Sequence, residues 1–172
     1  GAVRVLSAVR RTRSNIMAKK SFSTVNQLQR EIMRRANEAL KNEVKDYVED
    51  KMKSHVEKDV YATYSPVEYE RREANGGLLD DSNIRDVVHD RTLTVYNETH
   101  VEGPRLDHKE YKNPDGLPRL LESDNIRNPW THKRYRWMSP RPFMTNTQKD
   151  INYRYADIVE MLRKRINHDT TK

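Results

Sequence analysis

Cysteine is absent from the 172-residue chain. That excludes a disulfide framework, thiolate metal ligands and a cysteine nucleophile. Glycine occurs only five times and nowhere in the spacing of a phosphate-cradling loop. No apolar run approaches the roughly 18 residues that a membrane-crossing helix needs, so no membrane partner is expected. Apolar residues make up 34% of the chain, against roughly 45–50% for an average globular protein on a count that includes Gly. The mean hydropathy is −1.08. A core this thin suits a subunit that completes its burial against copies of itself.

What the chain has in quantity is charge. The formal net charge is +7, but it is unevenly placed. Residues 1–20 carry Arg4, Arg10, Arg11, Arg13, Lys19 and Lys20 and no acid. Without those six bases, 27 bases face 26 acids, and the body is almost neutral. A folded nucleic-acid binder concentrates positive charge on one face; here the concentration is expected in a basic tail or arm over residues 1–20. Met17-Ala18-Lys19-Lys20-Ser21 reads as a translation start, which would make residues 1–16 an upstream extension. The same stretch also fits an Arg-rich transit peptide, or an arm reaching DNA or a neighbouring subunit. Arg10, Arg11 and Arg13 are its DNA-contact candidates.

The rest, residues 21–168, reads as a single α+β domain, with residues 169–172 a frayed C-terminus. Thr24-Val25-Asn26-Gln27 is a capping-box candidate. After it Val25, Leu28, Ile32, Ala36, Leu40, Val44, Val48, Met52, Val56 and Val60 recur at three- or four-residue steps, with Glu, Lys, Arg and Asn on the other faces. The pattern predicts one amphipathic helix to about residues 55–59, on the order of 50 Å long. Asn75-Gly76-Gly77 is a turn signal. Leu78, Leu79, Ile84, Val87 and Val88 predict one extended segment and Thr92–Asn97 a second, with Leu93 and Val95 on one face. His89-Asp90-Arg91 would connect them without the glycine that a two-residue primed turn favours. Residues 98–139, broken by prolines, read as a long irregular loop in which Leu117, Leu120 and Leu121 could form a short helix or strand. Pro140 and Pro142 stiffen the approach to a last helix, for which Thr145-Asn146-Thr147-Gln148 is the expected cap. Its stripe is Ile151, Tyr155, Ile158, Leu162 and Ile166.

No catalytic constellation emerges. His100, His108 and His132 share the loop with Glu98, Glu102 and Asp107, but in no metal-ligand spacing. Asp80 and Asp81 with Glu98 are a weak echo of a Mg²⁺ carboxylate cluster. No cofactor or metal is expected, and no enzymatic activity. Trp130 and the run His132-Lys133-Arg134-Tyr135-Arg136-Trp137 mix aromatics with cations. Such a mix anchors protein interfaces or stacks bases while neutralising phosphates. Trp130 and Trp137 are therefore interface candidates, and Lys133, Arg134 and Arg136 DNA-contact candidates.

The order of elements carries one resemblance. Asp59-Val60-Tyr61, Tyr64, Tyr69-Glu70-Arg71-Arg72, Gly77-Leu78-Leu79-Asp80, Leu120-Leu121-Glu122 and Pro140-Arg141-Pro142-Phe143 with Thr147 succeed one another along residues 17–168. In that order they resemble the small neck proteins of long-tailed bacteriophages, the head–tail joining or tail-completion family. The resemblance implies helices packed on a small antiparallel sheet. It implies a structural subunit of the virion neck, assembled in the host cytoplasm into a homo-oligomeric ring, a hexamer or a dodecamer. Its partners would be the head connector, the tail-tube or tail-terminator proteins, and genomic DNA passing through the lumen. Tyr69, Arg71, Arg141 and Phe143 become assembly candidates: Arg141, stiffened between two prolines, could fork onto Asp80, Asp81 or a neighbour, and Phe143 would anchor the last helix. Ordinary packing within the subunit is the competing reading of all four. The alternatives to a neck subunit are a nucleic-acid-binding module with a basic arm, or an organelle-targeted subunit of a large assembly.

Overall fold

A strict four-residue apolar repeat governs the architecture. Ala36, Leu40, Val44, Val48, Met52, Val56 and Val60 are all buried. A four-residue step in an ordinary α-helix overshoots a full turn by about 40°, so a straight α-helix would wind this stripe away from the core. The computed structural model, which describes residues 1–6, 24–63, 65, 72–99, 116–122 and 140–167, shows how the mismatch is absorbed. Helix α1 (Val25–Ala39) runs into a π-helical turn at Leu40–Val44, continues as α2 (Lys45–His55), and ends in a second π-helical stretch, Val56–Tyr61. The wider turn of i→i+5 bonding offsets the drift accumulated in the α-helical parts. The result is one unbroken helix from Val25 to Tyr61 with a single apolar edge.

Thr24 caps its start, accepting the Gln27 N–H at 3.2 Å. The stripe does not begin there, however. Val25 is 70% exposed, and burial starts only at Arg35 and Ala36. Among the described residues, no residue before Arg35 on this helix is fully buried.

A three-stranded antiparallel sheet packs on the helix in the order β1-β3-β2. Its strands are β1 (Ala2–Leu6), β2 (Ile84–His89) and β3 (Thr92–Asn97). Val3 opposes Val95, and Leu93 opposes Val88. Val3, Ile84, Leu93 and Val95 bury on the helix side, while Arg85 and Val87 face out. The β2–β3 connection is a two-residue turn with both residues left-handed, Asp90 at φ 41° and Arg91 at φ 63°. This is the primed turn that matches strand twist, made without glycine. Leu78 and Leu79 lie in the turns before the hairpin and not in its first strand. Expected as strand residues, they are diverted because Gly76, at φ 78°, and a 3₁₀ turn at Asp81–Asn83 bend the chain.

The start of the chain also departs from expectation. Residues 2–6, read as part of a basic tail, are the edge strand β1, and Val3 is fully buried. Residues 7–23, with the remaining bases of the arm, lie outside the described residues.

Helix α3 (Gly116–Glu122) carries the Leu117–Leu121 segment as a short helix. The last helix is two: α4 (Phe143–Tyr153) and α5 (Tyr155–Asn167), interrupted at Arg154. Ile151, Ile158 and Leu162 bury as expected, but the interruption turns Tyr155 outward. Helix α5 packs along α1, while α4 packs on α2 and β1. Among the described residues no helix is long and apolar enough to cross a membrane.

Candidate assembly junction at the start of the last helices

Pro140-Arg141-Pro142-Phe143 delivers the chain into α4 through a tight turn. Pro142 stands at φ −81°, ψ 60°, and the Phe143 N–H donates to Arg141 O at 2.8 Å, the geometry of an inverse γ-turn. The Arg141 N–H donates in turn to Leu121 O at the end of α3, at 2.7 Å. Phe143 is completely buried. It anchors the helix, and it does so inside the subunit: its side chain has no surface left to offer a neighbour.

Proline cannot cap a helix with its side chain, and the expected cap Thr145–Gln148 lies one turn too late. Thr145 and Thr147 are already helical, and the Thr147 hydroxyl donates back to Phe143 O at 2.6 Å. The cap comes from elsewhere. The Glu122 carboxylate accepts the Met144 N–H at 2.6 Å, the Thr145 N–H at 3.3 Å and the Thr145 hydroxyl at 2.6 Å. A carboxylate there satisfies orphan donors and complements the positive end of the helix dipole.

One turn further on, the Asn146 amide donates to Asp59 Oδ2 at 2.9 Å. That oxygen also meets His55 Nδ1 at 2.9 Å. The seam continues along the long helix. Asp150 takes Lys51 Nζ at 3.3 Å and Arg154 Nε at 3.0 Å. Burial works to raise the Asp150 pKa, but the hydrogen bonds from Arg154 and Lys51 together hold it below its ordinary value. The Tyr47 hydroxyl donates to Asp157 at 3.0 Å; burial first, and that acceptor second, push the phenol up to about 12. The Lys51 ammonium lies 5.5 Å from the centre of the Tyr47 ring, within cation–π range.

On the other side of α3 the Leu117 N–H donates to Thr99 O at 2.8 Å. Thr99 is fully buried, and its hydroxyl lies 3.1 Å from Gly77 O. The buried Asn97 amide donates to Leu78 O at 2.9 Å. Asp80, offered in the sequence as a partner for Arg141, accepts the Gly76 and Ser82 N–H groups at 2.6 and 2.8 Å, and Asp81 pairs with Lys53 at 2.5 Å.

Of the assembly and DNA-contact candidates, Arg141 and Phe143 fall in the described part. Tyr69, Arg71, Trp130, Trp137, Lys133, Arg134, Arg136, Arg10, Arg11 and Arg13 lie outside it. Sequence pattern does not disclose the roles of Glu122 and Gln148. No periodicity signals a helix cap supplied by Glu122 from 22 positions before Met144. Gln148, expected in a helix cap, brackets Arg4 of β1 with its amide, accepting the Arg4 N–H at 2.6 Å and donating to Arg4 O at 3.0 Å.

Compared with known proteins, residues 24–168 match the model of one family, YomN. No curated protein and no solved structure matches the chain significantly.

Proposed function

The chain belongs to the YomN family, a phage-derived family, and on that premise we propose that it is a structural subunit of the phage neck. In this reading its copies form a ring between head connector and tail, through which genomic DNA passes. One observation carries the proposal. The segments that resemble neck proteins are far apart in sequence yet meet at one junction. Leu121 and Glu122 close on Arg141, Met144 and Thr145, and Asp59 reaches Asn146. A scaffold knitted from those segments holds the Arg141 backbone in a fixed place, with the residue half-buried. Arg141 is the assembly residue proposed here, while Phe143 supports it from within. The tail-tube and head-connector proteins remain the partners in this reading, and the virion neck the location.

The test is complementation. Phage particles made without this chain should accumulate as filled heads and separate tails, and the purified chain should restore joined, infectious particles. Normal joined particles made in its absence would overturn the proposal. Arg141→Ala should fold with near-parental stability and fail to complement.

A further inference from the structure

Strand β1 sits in a slot with two walls. One is the edge of β3, with Ala2 to Leu6 in register against Tyr96 to Thr92. The other is the Gln148 side chain of α4, whose amide makes both hydrogen bonds to the Arg4 backbone, at 2.6 and 3.0 Å. Gln148 therefore substitutes for a further strand, and the slot recognises extended backbone on both sides. Its floor accepts the apolar side chain of Val3, which is wholly buried beside Val95.

Both walls lie within the family-matched span, residues 24–168, whereas β1 lies outside it. Among the described residues the strand packs chiefly on β3 and α4, and α1, the next described element along the chain, is not one of its main partners. Its contacts are thus the same whichever copy supplies it. Residues 7–23, 17 in number, separate it from Thr24. A chain of that length reaches at most about 60 Å when extended, against a radius of gyration of about 16 Å for a domain of this size. A neighbouring subunit is well within range.

We propose that the slot between β3 and Gln148 is a strand-acceptor site, and that in the assembled protein Ala2–Leu6 of one copy fills the slot of the next. The inference rests on the ring reading, since it needs an adjacent copy. Exchange adds no new contact and loses none; the high local concentration of slots in a closed ring favours it. Each subunit then contributes Val3 to its neighbour's core, and the ring is held by main-chain pairing.

The absence of cysteine makes the test clean. Gln148 holds the Arg4 N–H and C=O, so those groups point away from β3. Arg4 and Thr94 therefore form a non-hydrogen-bonded pair with Cα atoms about 4.5 Å apart, a spacing that a disulfide spans. Both lie on the outer face, away from the core. The full chain carrying Arg4→Cys and Thr94→Cys should, on oxidation, run as a covalent ladder on a denaturing non-reducing gel. Equal mixtures of the two single variants should give a crosslinked dimer. Ala2→Cys with Tyr96→Cys, the next pair of the same type, repeats the test independently. If both double variants give only internally crosslinked monomers, or no crosslink, strand exchange is overturned. Native mass separates the two ideas: rings with internal crosslinks leave the ring standing, whereas monomers with internal crosslinks sink both.

Discussion

Glu122 caps a helix to which it does not belong: its Oε1 lies 2.6 Å from the backbone N–H of Met144. The two segments that this bond joins, the end of α3 and the start of α4, are separated by residues 123–142, of which 123–139 lie outside the described part. The cap is therefore a tertiary contact with the chemistry of a local one. Glu122→Ala should cost about 1–2 kcal/mol in denaturant unfolding, the range for loss of a helix cap. Glu122→Gln keeps an acceptor but loses the charge, and should fall between the two. Equal stability of all three proteins would show that Glu122 contributes no net cap.

Adjacent glycines should respond to alanine for different reasons. At Gly76 the backbone stands at φ 78° and nothing lies within 4 Å of an added Cβ. Gly76→Ala should thus cost only the left-handed penalty, about 1–2 kcal/mol. At Gly77 a Cβ would come within 2.3 Å of Glu73 O and 2.7 Å of Glu73 N. That backbone must move, and Gly77→Ala should be the more damaging change, measured by melting temperature in parallel with Gly76→Ala.

The long helix offers a contrast along one stripe. Met52 is fully buried and Val25 is 70% exposed. Met52→Ala should destabilise by about 2–5 kcal/mol, and Val25→Ala by no more than about 0.5 kcal/mol. Comparable losses at both positions in chemical denaturation would mean that Val25 is covered in solution.

Stability should fall in acid through a definable group. Glu31 is held at about 2, against an ordinary 4.5, first by its hydrogen bond from Arg34 and then by that from Arg35. Because the folded value lies below the unfolded one, the stabilisation is complete above about 4.5 and is lost as the pH falls from there toward 2. Asp150 and Asp80 are shifted in the same direction. Glu49 is shifted the other way, chiefly by burial, so its share is lost as the pH rises through its folded value. Glu31→Gln should flatten the stability profile between pH 4.5 and 2 and leave its slope at neutral pH unchanged, as read from thermal melts across that range.

Much of the fold was legible where periodicity is long and backbone chemistry is local. The four-residue spacing from Ala36 to Val60 announced the helix, and alternation at Leu93 and Val95 announced β3 with its inner face. Two features stayed hidden because their causes are distant. Strand β1 has the alternation of an edge strand, with Val3 and Arg4 on opposite faces, but its arginines sit among those of residues 10–13 and the whole run reads as a tail. Only β3 and Gln148, more than 85 positions away, make it a strand. Thr145–Gln148 has the composition of a cap, and the signal misleads because Glu122 and the turn at Pro142 start the helix earlier. At the proposed site the residue types Arg, Pro and Phe were visible; the buried position of Phe143 needed the three-dimensional packing.

The two π-helical stretches also mark where the long helix is forgiving. Each is a turn with one residue to spare. Removing one of the exposed residues Lys41, Asn42 or Glu43 from the first, or Glu57 or Lys58 from the second, would leave an ordinary α-turn, with the flanking side chains still pointing nearly the same way. Removing one from Lys45–His55 would swing everything beyond it by about 100° and set Val56 and Val60 facing water. Excisions in this rod are therefore silent at two addresses and ruinous between them.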